Sequence, residues 1–159
     1  MTRIAIMTFE GFNEIDSVVV LNILNRVRRK DWSVAIACPS DSVQSVNGVQ
    51  VQRQQPLEFA NEADAVLFGS GRLTQRIAED SAVMSKLKLD GERQLIGSQC
   101  SGALMLAKLG LLPTRQACTD RFTRAIVEAA GVKVLDQPFF CHGNVATAGG
   151  CLSSQYLAA

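Results

Sequence analysis

Short apolar runs alternate with segments of helical spacing along this chain, and that alternation limits its fold more than any other feature. Residues 3–7 (RIAIM) and 33–38 (SVAIAC) are nearly continuous apolar runs, and between them Val20, Ile23, Leu24 and Val27 repeat at helical spacing. The pattern predicts strand, helix, strand. Residues 42–52 (SVQSVNGVQVQ) alternate about Asn47-Gly48, which predicts a small hairpin. A buried strand in ADAVLFGSG (63–71) precedes a helix within about 72–89, and RQLIGS (93–98) precedes a helix over 101–112 that Pro113 stops. A further helix is expected over 120–130, with Phe122, Ile126, Ala129 and Ala130 on one face and Gly131 at its end. VKVL (132–135) and NVATAGG (144–150) follow as strands, and a last helix has barely begun at Ala159. Apolar strands alternating with helices give an α/β fold, a mainly parallel sheet covered on both faces. Ligands bind such sheets at the carboxyl ends of strands, where GFNEID (11–16), FGSG (68–71) and SQCSG (98–102) all fall.

The 159 residues, 47% of them hydrophobic, suffice for one core and so for a single domain over 1–159. Sixteen basic against fifteen acidic residues leave a formal charge of +1, which argues against nucleic acid or an anionic membrane as partner. The cluster RVRRK (26–30) sits at the end of a predicted helix, where cations complement the dipole. The N-terminal apolar run is too short for a signal peptide, and no segment has the length of a membrane span. Five widely spaced cysteines, an odd number with no C-x-x-C pair, read as free thiols in a reducing, cytoplasmic compartment.

One of those cysteines stands at a corner. Cys100 joins a strand to a helix among Ser98, Ser101 and Gly102, where a sharp turn exposes the sulfur and the helix's unpaired N–H groups favour the thiolate. The arrangement is that of a nucleophile elbow with cysteine in place of serine. A partner is needed to exchange protons with the sulfur. His142, the only histidine, lies in a polar loop; Asp16, in the loop after the first strand, can reach the same sheet edge, although a helix cap would also explain it. Cys38 and Cys118 fit core packing, and Cys151, after Gly149-Gly150 at a helix start, has no visible partner. Cys141 beside His142 lacks further donors at ligand spacing, so no metal is expected, and FGSG matches no nucleotide-binding pattern, so no cofactor is expected either.

The segments RIAIMTFEGFNEID, ADAVLFGSG, GSQCSGALMLAKLGLL and NVATAGG together resemble the ThiJ/PfpI superfamily, and within it the isocyanide (isonitrile) hydratase branch. The resemblance spans nearly the whole chain. It implies a flavodoxin-like three-layer fold, a homodimer, Cys100 as nucleophile and Asp16 as the acid that hydrogen-bonds its sulfur. Ser101 matches the hydroxyl position after the cysteine, and Gly69 and Ser70 fall in the turn whose backbone N–H groups face the sulfur. Four departures stand out. FGS (68–70) replaces the usual PGG; Ser101 replaces the histidine of the PfpI amidase branch; CTD (118–120) puts Asp120 where relatives have the histidine of TTH; and the family's C-terminal helix is expected to be truncated.

The activity so implied is addition of water to a small electrophile, most specifically isocyanide to N-substituted formamide, without a cofactor. Two alternatives use the same thiol. Glyoxalase-like chemistry on 2-oxoaldehydes needs a base, with Asp16, Glu14 and His142 as candidates. A non-enzymatic redox sensor would store a sulfinic acid on Cys100 capped by Asp16. No helix-turn-helix segment or basic face supports a transcription regulator.

Overall fold

The computed structural model describes residues 1–159. Its main sheet has seven strands: β1 (Thr2–Met7), β2 (Trp32–Cys38), β5 (Gln55–Pro56), β6 (Ala65–Phe68), β7 (Leu95–Gln99), β10 (Phe139–His142) and β11 (Val145–Ala148). They lie in the order β10-β11-β7-β6-β1-β2-β5, all neighbours parallel except β10 with β11. The parallel strands β2-β1-β6-β7-β11 follow the flavodoxin-like order, with the crevice at the reversal between β1 and β6. Two short ladders lie outside: β3 (Ser42–Gln44) with β4 (Gln50–Gln52), the hairpin expected at Asn47-Gly48, and β8 (Gln116–Ala117) with β9 (Lys133–Val134).

Burial on both faces explains why the strands read as unbroken apolar runs. Along β1, Ile4 and Ile6 point into a cluster with Val20 and Leu67, while Ala5 and Met7 join the larger core on the other face. The helices α1 (Val20–Leu24) and α6 (Ser154–Ala158) cover the first face with Leu21, Leu24, Leu157 and Ala158. On the opposite face, α2 (Thr74–Glu79), α4 (Gly102–Lys108) and α5 (Arg124–Ala129) supply Ala78, Leu104, Met105, Leu106 and Val127, and α3 (Ser81–Met84) packs Val83 and Met84 against them. The result is a sheet between two helical layers. No helix is long and apolar enough to cross a membrane.

The helices depart from the sequence reading for local reasons. The segment before α1 is a π-helical turn (Ile15–Val19), and Val27 lies beyond α1, largely exposed. Asp80 divides the helix expected within 72–89, because its carboxylate accepts from the Ala82 and Val83 N–H groups and so caps α3. Asp120 likewise turns its carboxylate onto the Phe122 and Thr123 N–H groups, so α5 begins only at Arg124. Phe122 therefore stands exposed, and Val127 takes the core position expected of it. Cys141 and His142, expected in a loop, lie in β10 on the sheet's edge.

Candidate active site

Three strand ends build the site. The chain leaving β1 places Asn13 and Asp16, the turn after β6 places Gly69 and Ser70, and the turn after β7 places Cys100. Cys100 adopts φ +51, a left-handed conformation that costs a non-glycine residue about 1–2 kcal/mol. The corner is held by a Thr119 hydroxyl donating to the Cys100 carbonyl at 2.8 Å. Gly102 lets α4 start immediately after it: a Cβ there would stand 2.7 Å from the Phe68 carbonyl oxygen and 2.8 Å from that of Gly69. The strained elbow expected at Cys100 is present.

The acid on the sulfur is Asp120. The Cys100 thiol donates to Asp120 Oδ2 at 3.1 Å, and the Thr123 hydroxyl donates to the same oxygen at 2.5 Å. Asp16 stands near without that bond. Its Oδ2 accepts from the Ser70 hydroxyl, its Oδ1 is buried without a partner, and its carboxylate and the Cys100 and Cys151 sulfurs lie within 4.8 Å of one another. The hydrogen bond that the family resemblance assigns to Asp16 is thus made by Asp120, the residue occupying the histidine position of TTH.

Electrostatics separates the two carboxyls. Asp16 is 2% exposed, and burial, with the negative charge of Asp120 adding to it, pushes its pKa up to about 6 against the hydrogen bonds that favour charge. Asp120 is held below the ordinary carboxylate range: burial opposes its charge, but donation from Thr123, from the Cys100 thiol and from two backbone N–H groups prevails. The Cys100 thiol is pushed well above its usual range by its hydrogen bond with Cys151, by burial and by Asp120. The elbow position favours a thiolate, but these neighbours favour the thiol, whose proton faces the Asp120 carboxylate.

Cys151 completes the cluster. Its sulfur lies 4.0 Å from that of Cys100 and accepts from the Asn13 side-chain amide at 3.0 Å. The contact with Cys100 draws its pKa down, against burial and the charge of Asp16. Asp16, Cys100 and Cys151 together form a donor set of the kind that holds a thiophilic metal, which the spacing along the chain did not disclose. The sign of Cys151 in the sequence was the Gly-Gly turn at a helix start; its partner could be found only by pairing β11 beside β7, which sets Ala148 against Gln99.

The remaining candidates divide between the cleft and its supports. The Gly69 N–H bonds the Met7 carbonyl at 3.3 Å, and the Ser70 hydroxyl serves Asp16. Ser101 Oγ pairs with Thr74 Oγ1 at 2.8 Å and accepts from the Gly71 N–H at 3.2 Å, so it ties α4 to the β6 turn. His142 lies opposite Val145, whose β7 neighbour is Ile96 near the amino end, whereas Cys100 follows the carboxyl end; the two are at opposite edges of the sheet. Glu14 accepts from Ser45 at 2.5 Å and Asn47 at 3.0 Å, anchoring the hairpin. Cys38 is a core thiol whose pKa burial raises to about 11. Beside Cys100 opens a cleft of about 240 Å³ lined by Asn13, Ser70, Gly71, Ser101, Asp120 and Thr123 among others.

The DJ-1/PfpI family model matches residues 2–158. The chain belongs to the DJ-1/PfpI family. Among solved structures it is similar to Schizosaccharomyces pombe DJ-1, with TM-score 0.81 and 20% identity over 99% of this chain and 88% of that one. A ThiJ/PfpI domain protein from Brachyspira murdochii aligns with TM-score 0.84 and 17% identity, covering 98% and 91%. A cysteine-to-alanine mutant of a DJ-1 superfamily protein from Salmonella typhimurium aligns with TM-score 0.82 and 25% identity, covering 99% and 86%. Comparison with curated protein sequences returned no significant match. Membership accounts for the mainly parallel sheet between helical layers.

Proposed function

We propose that this family member is a cofactor-independent cysteine enzyme that hydrates a small electrophile, with an alkyl isocyanide as the substrate the site suits best. The observation that carries the reading is the pair of carboxyls flanking one sulfur with their proton affinities driven apart: Asp120 held ionised, Asp16 raised to about 6. Such splitting assigns a base and an acid.

The Cys100 sulfur adds to the terminal isocyanide carbon while its proton passes to Asp120 Oδ2, already its acceptor at 3.1 Å. The same carbon takes a proton from Asp16, giving a thioimidate. Water then adds to that carbon, one of its protons going to the substrate nitrogen and the other restoring Asp16. The C–S bond breaks, the sulfur recovers its proton from Asp120, and an N-substituted formamide leaves. The cleft of about 240 Å³ fits a small substrate.

Chemistry on 2-oxoaldehydes has weaker support. Glu14 is engaged by the hairpin and His142 lies at the far sheet edge, which leaves only Asp16 among its three candidate bases. The two are separated by rates on cyclohexyl isocyanide and on methylglyoxal, followed by appearance of formamide and of lactate. Faster turnover of the isocyanide supports the proposal; turnover of methylglyoxal alone overturns it.

A further inference from the structure

We propose that Cys100 and Cys151 form a dithiol site that hydroperoxides convert to an intramolecular disulfide. The hydratase reading gives Cys151 no task, and the inference does not depend on that reading. The two sulfurs touch at 4.0 Å although 51 positions separate them. Both are anchored. Cys100 is fixed by the elbow, and the Cys151 carbonyl accepts from the Gln99 side-chain amide at 3.2 Å and from the Ser154 hydroxyl at 2.8 Å, so its backbone is tied to the residue preceding Cys100. A disulfide needs a separation of about 2.05 Å, so the sulfurs must close by roughly 2 Å. No comparable arrangement surrounds the other thiols, since Cys38 and Cys118 are buried in the core and Cys141 is exposed on β10.

Cys100 lines the cleft and Cys151 does not, which divides the roles. Cys100 gives its proton to Asp120 and attacks a peroxide oxygen; the S–O bond forms as the O–O bond breaks. The departing hydroxide takes the Asp120 proton and leaves as water, or as an alcohol from an organic hydroperoxide. Cys151, whose sulfur already accepts from Asn13, then attacks the sulfenic sulfur of Cys100. The S–S bond forms, the S–O bond breaks, and the hydroxyl leaves with the Cys151 proton as a second water. Two thiols are oxidised by two electrons and the peroxide is reduced by two. A sulfenic acid with no neighbouring thiol advances instead to sulfinic acid. Cys151 diverts Cys100 from that course.

The test treats the protein with a small molar excess of hydrogen peroxide, alkylates remaining thiols under denaturing conditions, and reads intact mass and non-reducing peptide maps. The wild type should lose two hydrogens and two alkylation sites, yield a linked Cys100–Cys151 peptide and regain both sites when dithiothreitol precedes alkylation. The Cys151→Ser variant should gain two oxygens on Cys100 instead. A wild type that gains two oxygens on Cys100 without a linked peptide overturns the proposal, and that result does not require the variant to fold.

Discussion

The Cys100 thiol donates to Asp120 Oδ2 at 3.1 Å, across 20 positions of chain and the whole of α4. That bond ties the reactivity of the sulfur to a carboxylate brought in by the turn before α5. Removing the charge while keeping an acceptor, as in Asp120→Asn, should lower the Cys100 pKa, since Asp120 is one of the groups that raise it. The pH dependence of iodoacetamide labelling at the Cys100 peptide checks this: its midpoint should move to lower pH, and a midpoint moving up contradicts the assignment. Loss of the base should also slow hydration by about 10²–10⁴-fold.

Asp16 makes stability depend on pH in an unusual direction for a carboxyl. Its folded pKa of about 6 exceeds the ordinary 3.8, so below that ordinary value it is neutral in both states and carries no penalty. As pH rises toward 6 the unfolded chain ionises first and stability falls, by about 3 kcal/mol once the change is complete. Asp16→Asn keeps an acceptor for Ser70 and lacks the titration. Urea unfolding should therefore show the variant gaining on the wild type between about pH 4 and pH 7, and a parallel pair of curves would refute the buried charge.

The left-handed backbone at Cys100 separates two truncations. Cys100→Ala keeps a Cβ at φ +51 and retains the strain, whereas Cys100→Gly removes it. By chemical denaturation the glycine variant should be the more stable by about 1 kcal/mol. Equal stabilities, or a more stable alanine variant, would show that the corner is unstrained.

Gly102 is the point where α4 presses on the β6 turn. An added methyl group would meet the Phe68 and Gly69 carbonyl oxygens at 2.7 and 2.8 Å, both backbone and unable to swing aside. Gly102→Ala should cost about 1–3 kcal/mol and reduce turnover, because the displaced helix carries the elbow with it. Unchanged melting and turnover would mean that the contact yields freely.

The layers and the elbow were legible because they depend on local pattern: a strand buried on both faces must read as RIAIM or SVAIAC, and a sharp strand-to-helix turn needs small residues such as Ser101 and Gly102. Helix ends were less so, since Asp80 and Asp120 divert their carboxylates to nearby N–H groups and no periodicity shows that. The partners of the sulfur were hidden for a different reason. Asp120 stood out only as a departure from TTH, and Cys151 only as a cysteine after two glycines; their meeting with Cys100 arises from the sheet order, which no spacing along the chain encodes. Asp16 was placed at the right edge, but its choice of Ser70 over the sulfur depends on side-chain packing.

The most direct measurement is formamide production from cyclohexyl isocyanide by the wild type and by Cys100→Ala, with the fold of the variant verified by circular dichroism. The account predicts steady turnover by the wild type and a loss of at least about 10³-fold in the variant. A folded Cys100→Ala protein that turns over as fast as the wild type would contradict it.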